Sequence, residues 1–167
     1  MQINGGGSGN VNVLQSDTGQ YRNIDFVVSQ GRVFHYGMYQ PKVVAKFGHI
    51  QIYNPVGSGV IVLLDTMEVS SPDISAFTIR RTATEIGINE GVWISQLSNG
   101  VDGNADIRRD TETVVTGFIL GYVYLTASTP YNFIPPGGIQ IVEGLGYSVS
   151  CETLDTLYCV YFSGREV

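Results

Sequence analysis

Residues 49–64 read HIQIYNPVGSGVIVLL, and this stretch decides the fold class. Polar and apolar residues alternate at its start, with Ile50 and Ile52 on one face, which is the period of a β-strand with one wet face. Residues 54–59 form a turn, in which proline presets one φ angle and the glycines accept positive φ. The apolar run at residues 60–64 then predicts a central strand that is covered on both faces or meets a neighbouring subunit.

The same pattern of short strands and turns continues in both directions. We predict strands at residues 11–15, 24–29, 32–39, 43–47, 49–54, 60–69, 76–81, 91–96, 117–125, 139–143, 147–152 and 157–163. Only residues 106–115 could hold a short helix. Many short strands between Gly and Pro turns, without βαβ spacing, predict an all-β protein, an antiparallel β-sandwich or jelly roll. We place this single domain at residues 11–167, and treat the Gly-rich residues 1–10 as a flexible or partner-pinned arm.

Composition limits the classes of partner. The 167 residues are 43% hydrophobic but only 14% charged, below the roughly 25% of average domains. So little charge favours a surface covered by another chain, although uncharged polar loops would give the same count. The net charge of −6 argues against a nucleic-acid partner, because phosphate contacts need clustered Lys and Arg. With no apolar run near the ~20 residues that span a bilayer and no signal peptide, we expect no membrane and folding in a cytoplasm.

Few residues are candidates for catalysis. His35 and His49 are the only histidines, both lie in predicted strands, and neither has a nucleophile motif nearby, so neither a hydrolytic triad nor a zinc site is predicted. A polysaccharide-degrading enzyme needs two apposed carboxylates, a possibility that 15 acidic residues leave open. We expect a non-enzymatic protein without a cofactor.

One string resembles a metal-binding loop. Asp102, Asn104 and Asp106 match the D-x-N-x-D opening of a calcium loop. The sixth position is Ile107 instead of glycine, and the twelfth is Thr113. We therefore predict a polar surface turn and no bound metal.

Two cysteines flank Asp155 symmetrically. A hairpin turning there would place Cys151 and Cys159 opposite each other, which makes a disulfide geometrically possible. Thiols stay reduced in a cytoplasm, so we expect two small buried apolar residues on the last hairpin.

Tyrosines occur in most of the predicted strands. A Tyr-rich β surface can stack on sugars or form a subunit interface in which the hydroxyls stay wet. Sheet interiors also contain tyrosine, so the count alone does not choose between these uses.

The stretch IYNPVGSGV at residues 52–60, followed by a long apolar strand, resembles small β-sandwich virion proteins of tailed bacteriophages. The PPGGI segment at residues 135–139 and the closing residues 159–166 are similar to the C-terminal end of such proteins. The resemblance implies a compact β-domain, often trimeric, mounted on a capsid or tail. It carries over no functional residue.

We therefore predict a virion protein, assembled in the host cytoplasm, that acts as a capsid decoration or cement protein. Its expected partner is the major capsid protein or another virion protein, and we expect a homotrimer. The residues expected to contact the partner are Met1, Gln2, Ile3, Val11 and Val13. The alternative is a tail or head-fibre tip that binds a host receptor or sugar. Such a tip usually follows a trimeric shaft, and residues 1–20 contain neither heptads nor repeated β-turns.

Overall fold

The computed structural model describes residues 33–96, 100–111, 117–134 and 138–167. The strands in these ranges are β1 (Val33–Gln40), β2 (His49–Asn54), β3 (Val62–Ser70), β4 (Ser75–Thr82), β5 (Ile88–Val92), β6 (Ile94–Ser95), β7 (Asp106–Asp110), β8 (Phe118–Leu125), β9 (Tyr131–Asn132), β10 (Ile139–Ile141), β11 (Leu145–Cys151) and β12 (Tyr158–Glu166). The described part of the chain contains no helix. The predicted all-β class is confirmed.

The strands form two six-stranded antiparallel sheets, packed as a sandwich. Sheet I has the order β10-β3-β12-β1-β6, with β9 also paired to β3, and sheet II has the order β5-β7-β2-β11-β4-β8. The chain alternates between the sheets from β1 to β4, and again through β8, β10, β11 and β12. The orders β10-β3-β12-β1 and β8-β4-β11-β2 are those of a jelly roll, so the sequence-based prediction of a sandwich with this arrangement holds.

Alternating side chains of both sheets fill the core. On β12, Tyr158, Val160 and Phe162 are completely buried. The Tyr158 hydroxyl donates to the Val149 carbonyl at 3.2 Å, which links sheet I to sheet II, and its ring packs edge-on against Phe77 with centroids 5.1 Å apart. Burying each large apolar side chain contributes about 1.5–3 kcal/mol before the entropy of ordering is subtracted.

The turn after β2 carries the chain from sheet II to sheet I. Gly57 and Gly59 have φ angles of 86° and 73°, and the Glu143 carboxylate accepts hydrogen bonds from both backbone N–H groups, at 3.2 and 2.7 Å. The buried Asn54 amide donates to the Ile141 carbonyl at 3.0 Å. Backbone geometry and hydrogen bonding thus explain the Asn-Pro-x-Gly-Ser-Gly string.

Strands β5, β6 and β7 are inserted between β4 and β8 of the jelly roll. Strand β6 extends sheet I beyond β1, whereas β7 and β5 extend sheet II beyond β2, so the insertion closes this side of the sandwich. Trp93, between β5 and β6, is completely buried and stacks on Phe34 with ring centroids 5.2 Å apart. Its indole N–H donates to the carboxylate of Glu166, the last residue of β12, at 2.8 Å. The same carboxylate accepts hydrogen bonds from the backbone and side-chain amides of Asn104 and from the Ala105 backbone N–H.

Two predicted elements are wrong. Residues 43–47 form a turn instead of a strand, in which Ala45 has φ 58° and donates its backbone N–H to the Asp155 carboxylate at 2.6 Å. The possible helix at residues 106–115 is wrong at its start, because β7 occupies Asp106–Asp110 between β5 and β2. Pairing with two strands stabilises this segment, whereas a short isolated helix is marginal.

Two burial predictions also need correction. The polar face of β2 is buried, since loop residues after β4 hydrogen-bond the completely buried Gln51: its Nε2 donates to Thr84 O at 2.8 Å and its Oε1 accepts from Ile86 N at 3.1 Å. The strand predicted to start at residue 60 starts at Val62. Strand β3 lies inside its sheet, but only one of its faces points into the core, so it is not covered on both faces by this chain. The strands predicted at residues 11–15 and 24–29 lie outside the described residues.

We expect Glu166→Gln to destabilise the protein by about 1.5–3 kcal/mol. The substitution removes a charged hydrogen-bond acceptor, and it replaces one carboxylate oxygen by an NH₂ group that cannot accept hydrogen bonds from the buried N–H donors. The midpoint of urea unfolding measures this change. Glu85→Gln is the matched control, since Glu85 forms a half-exposed pair with Arg108 and such pairs contribute about 0–1 kcal/mol. Equal midpoints for the two variants would contradict the assigned role of Glu166.

Candidate docking surface

Strand β8 is one of the two edge strands of sheet II, and among the described strands it pairs only with β4. Its eight residues read FILGYVYL, without a charged residue or a proline. Edge strands of soluble proteins usually carry such residues, which prevent another chain from pairing with the free backbone groups. An apolar edge without them favours addition of a further chain.

The exposed side chains of β8 are large and apolar. Phe118, Tyr122 and Tyr124 are 66%, 63% and 81% exposed, whereas Val123 and Leu125 point into the core. We define the β8 edge as the five exposed residues Phe118, Ile119, Leu120, Tyr122 and Tyr124. A contiguous apolar patch of this kind marks an interaction surface more often than scattered exposed residues do.

A register shift shapes the β8 edge. Ile79 of β4 pairs with Gly121, but Arg80 pairs with Ile119, so Leu120 is an extra residue on β8. This irregularity interrupts the alternation of faces. As a result, three consecutive apolar side chains are exposed at the start of the strand.

Neighbouring side chains hold the β8 edge in place. Phe133 packs against Gly121, where an added Cβ would lie 3.2 Å from the ring, and the Phe133 backbone N–H donates to Met67 O of sheet I at 2.9 Å. The Arg81 guanidinium lies 5.9 Å from the centroid of the Phe118 ring, within cation–π range. Both sheets therefore position this surface.

A second surface feature is a shallow hollow of about 180 Å³ on the outer face of sheet I. Gly37 of β1, Tyr161 of β12 and Glu68 of β3 occupy adjacent register positions there. Tyr39 also lines the hollow, and His35 stacks on Tyr161 with ring centroids 6.4 Å apart. The structure thus brings together two of the tyrosines that the sequence offered for surface contacts.

The two histidines lie apart. His35 is on the outer face of sheet I beside Tyr161, and His49 is buried in sheet II. Over the described ranges, no group of three His, Cys, Asp or Glu side chains is arranged to hold a metal ion.

The polar side chains of the loop that matched a calcium site bond to other groups of the protein. Asp102 accepts a hydrogen bond from the Ser95 backbone N–H at 3.2 Å, and Asp106 pairs with Arg108 at 3.3 Å. Gly103 is buried against the indole: a Cβ there would lie 2.1 Å from Trp93 Nε1. The loop therefore serves to enclose Trp93 and Glu166.

The predicted last hairpin is wrong. Strand β11 ends at Cys151 in sheet II and β12 begins in sheet I, so the chain crosses between the sheets. Both cysteines are free, and Cys151 is buried as expected, but the expected burial of Cys159 is wrong because its side chain is exposed on the outer face of sheet I. The Cys151 thiol donates to the Thr153 carbonyl at 3.3 Å, and burial raises the pKa of this thiol.

The sequence predicted the strand β8 but missed that it forms an exposed apolar sheet edge. The available signal was a run free of charge and proline, but its position at a sheet edge depends on pairing between distant residues. The residues predicted to contact a partner, Met1, Gln2, Ile3, Val11 and Val13, lie outside the described part of the chain and stay predictions.

Comparison with known proteins does not identify a family. No protein-family model matches the chain, and no curated protein matches it. In the described ranges there is no helix long and apolar enough to cross a membrane.

We expect a disulfide-exchange reagent to label one thiol rapidly in the native protein, because Cys159 is exposed while burial protects Cys151. Cys159→Ser should abolish the fast phase, and Cys151→Ser should leave it unchanged. Both thiols should react at once in denaturant. Two fast thiols in the native protein would contradict the burial of Cys151.

Proposed function

We propose that this protein is a non-enzymatic structural protein of a tailed-phage virion, a decoration or cement protein that binds the capsid lattice. The observation that carries the proposal is the β8 edge, in which an uncharged strand exposes Phe118, Tyr122 and Tyr124. Leaving such a surface in water is unfavourable, and covering it stabilises an assembly.

The proposed occupant is an extended apolar segment of the major capsid protein or another virion protein. Such a segment would add to sheet II beside β8, with backbone hydrogen bonds giving affinity and side-chain contacts giving specificity. The Tyr122 and Tyr124 rings supply apolar contact area while their hydroxyls can stay hydrated at the rim. The other side of the sandwich is closed by β5–β7, which leaves the β8 side for this contact.

Composition and fold support the proposal without establishing it. Only 14% of the residues are charged, which suits a surface that is largely covered. Jelly rolls form viral capsid and lectin domains among others, although a fold alone does not fix a function. The resemblance of residues 52–60 to phage virion proteins points in the same direction.

The second candidate function is a tail or head-fibre tip that binds a host receptor or sugar. The hollow between Tyr39 and Tyr161 favours it, since aromatic rings stack on ligand rings. The copy number per virion distinguishes the two functions: a number that matches the capsid lattice indicates decoration, and one that matches the tail symmetry indicates a tip.

Replacing Tyr122 and Tyr124 by lysine should weaken binding to undecorated capsids by at least about tenfold, because interface tyrosines often contribute ~2 kcal/mol or more. Sedimentation of capsids with labelled protein measures this loss, and far-UV circular dichroism checks the fold. Val44→Lys is the control, since Val44 is 87% exposed and lies outside β8. Unchanged binding of the double variant would reject β8 as the contact.

The proposed homotrimer and the arm have a separate test. Deleting residues 2–10 should leave the trimer mass unchanged in light scattering but abolish capsid binding, because an arm that orders on docking contributes contacts only in the complex. Unchanged binding would reject the arm as an anchor. A monomeric full-length protein would reject the trimer.

A further inference from the structure

The hollow on sheet I contains the Glu68 carboxylate, which has no ion-pair partner among the residues that the structure describes. Glu68 lies opposite Tyr161 of β12 on one side and Asn132 of β9 on the other. Over the described ranges, its carboxylate takes part in no ion pair or hydrogen bond. Asp65 on the same strand differs, because Arg165 pairs with it at 2.9 Å.

Two tyrosines, Tyr39 and Tyr161, are among the residues that line the hollow, and Gly37 contributes no side chain to it. Tyr39 and Tyr161 are 49% and 39% exposed. Gly37 lies directly opposite Tyr161, and a Cβ at Gly37 would only reach 3.9 Å from the Tyr161 ring. Ser70 adds a hydroxyl to the same lining, beside Glu68.

We propose that this hollow binds a basic side chain, lysine or arginine, of a partner protein. The cation would pair with the Glu68 carboxylate and contact the faces of the two tyrosines, an arrangement that combines an ion pair with cation–π attraction. The alkyl stem of either side chain would lie over Gly37, where no side chain is in the way.

Other ligands fit the lining less well. A quaternary ammonium has no N–H group to donate to Glu68 or Ser70, whereas an ammonium group donates three hydrogen bonds and a guanidinium up to five. A neutral sugar could donate hydroxyl groups to the carboxylate but would leave its charge uncompensated. The hollow is on the outer face of sheet I and the β8 edge belongs to sheet II, so this inference does not depend on docking at β8.

The test is a titration followed by amide shifts in NMR spectra of the ¹⁵N-labelled full chain. The probes are N-acetyl-lysinamide, N-acetyl-argininamide, choline and a methyl glucoside. We expect the lysine or arginine probe to shift amides of β1, β3 and β12, with choline and the glucoside at least about tenfold weaker. Glu68→Gln should weaken the basic probe about tenfold or more.

Matched variants separate this site from general attraction to an acidic protein. Asp73→Asn removes the same charge at an exposed pair with Lys42 and should leave the titration unchanged. Gly37→Ala fills the floor without a clash and should weaken binding while the unbound spectrum keeps its dispersion.

Three results would overturn the proposal. They are the absence of localised shifts with either basic probe, equal losses in Glu68→Gln and Asp73→Asn, and choline binding as tightly as the basic probes. Binding of the glucoside alone would also overturn it and would favour the tail-tip function.

Discussion

The buried carboxylate of Glu166 is the contact on which one whole side of the sandwich depends. It receives hydrogen bonds from the indole of Trp93 and from two consecutive residues of the loop before β7. These bonds join the end of β12, in sheet I, to the insertion that extends both sheets. A buried charge is stable only when such donors surround it. The donors, the glycine that lets the loop approach and the stacked Phe34 ring therefore form one unit.

The insertion closes only one side of the two-sheet fold, and the β8 edge lies on the other side. The β5–β7 insertion covers the β1 and β2 edges, while β8 ends sheet II with its outward side chains in solvent. The low overall charge is consistent with this division. The exposed apolar side chains of β8 thus lie on the side of the sandwich that the insertion does not cover.

The sequence predicted most of the strands but not which strands and loops lie beside one another. Period-two alternation located β2 and β10, and short apolar runs between turns located most of the other strands, because both signals depend only on neighbours in the chain. It could not show that Gln51 is buried, since the loop after β4 covers it from about 30 residues away. Nor could symmetry about Asp155 distinguish a hairpin from a crossing between sheets. The string Asp102–Asp106 matched the opening of a calcium loop, but its spacing could not show that Asn104 and Ala105 donate to Glu166, 62 and 61 residues away.

The extra residue Leu120 has a consequence for how the free protein behaves in solution. A long, flat, uncharged edge would let copies stack without limit into fibrils. The register shift divides β8 into a regular part from Gly121 onwards and a short part before it. A second straight strand can therefore form regular backbone hydrogen bonds with only one of these two parts. A partner strand with a matching bulge can pair with both parts of β8. The extra residue therefore opposes open-ended addition of straight strands, while the apolar side chains of β8 stay exposed.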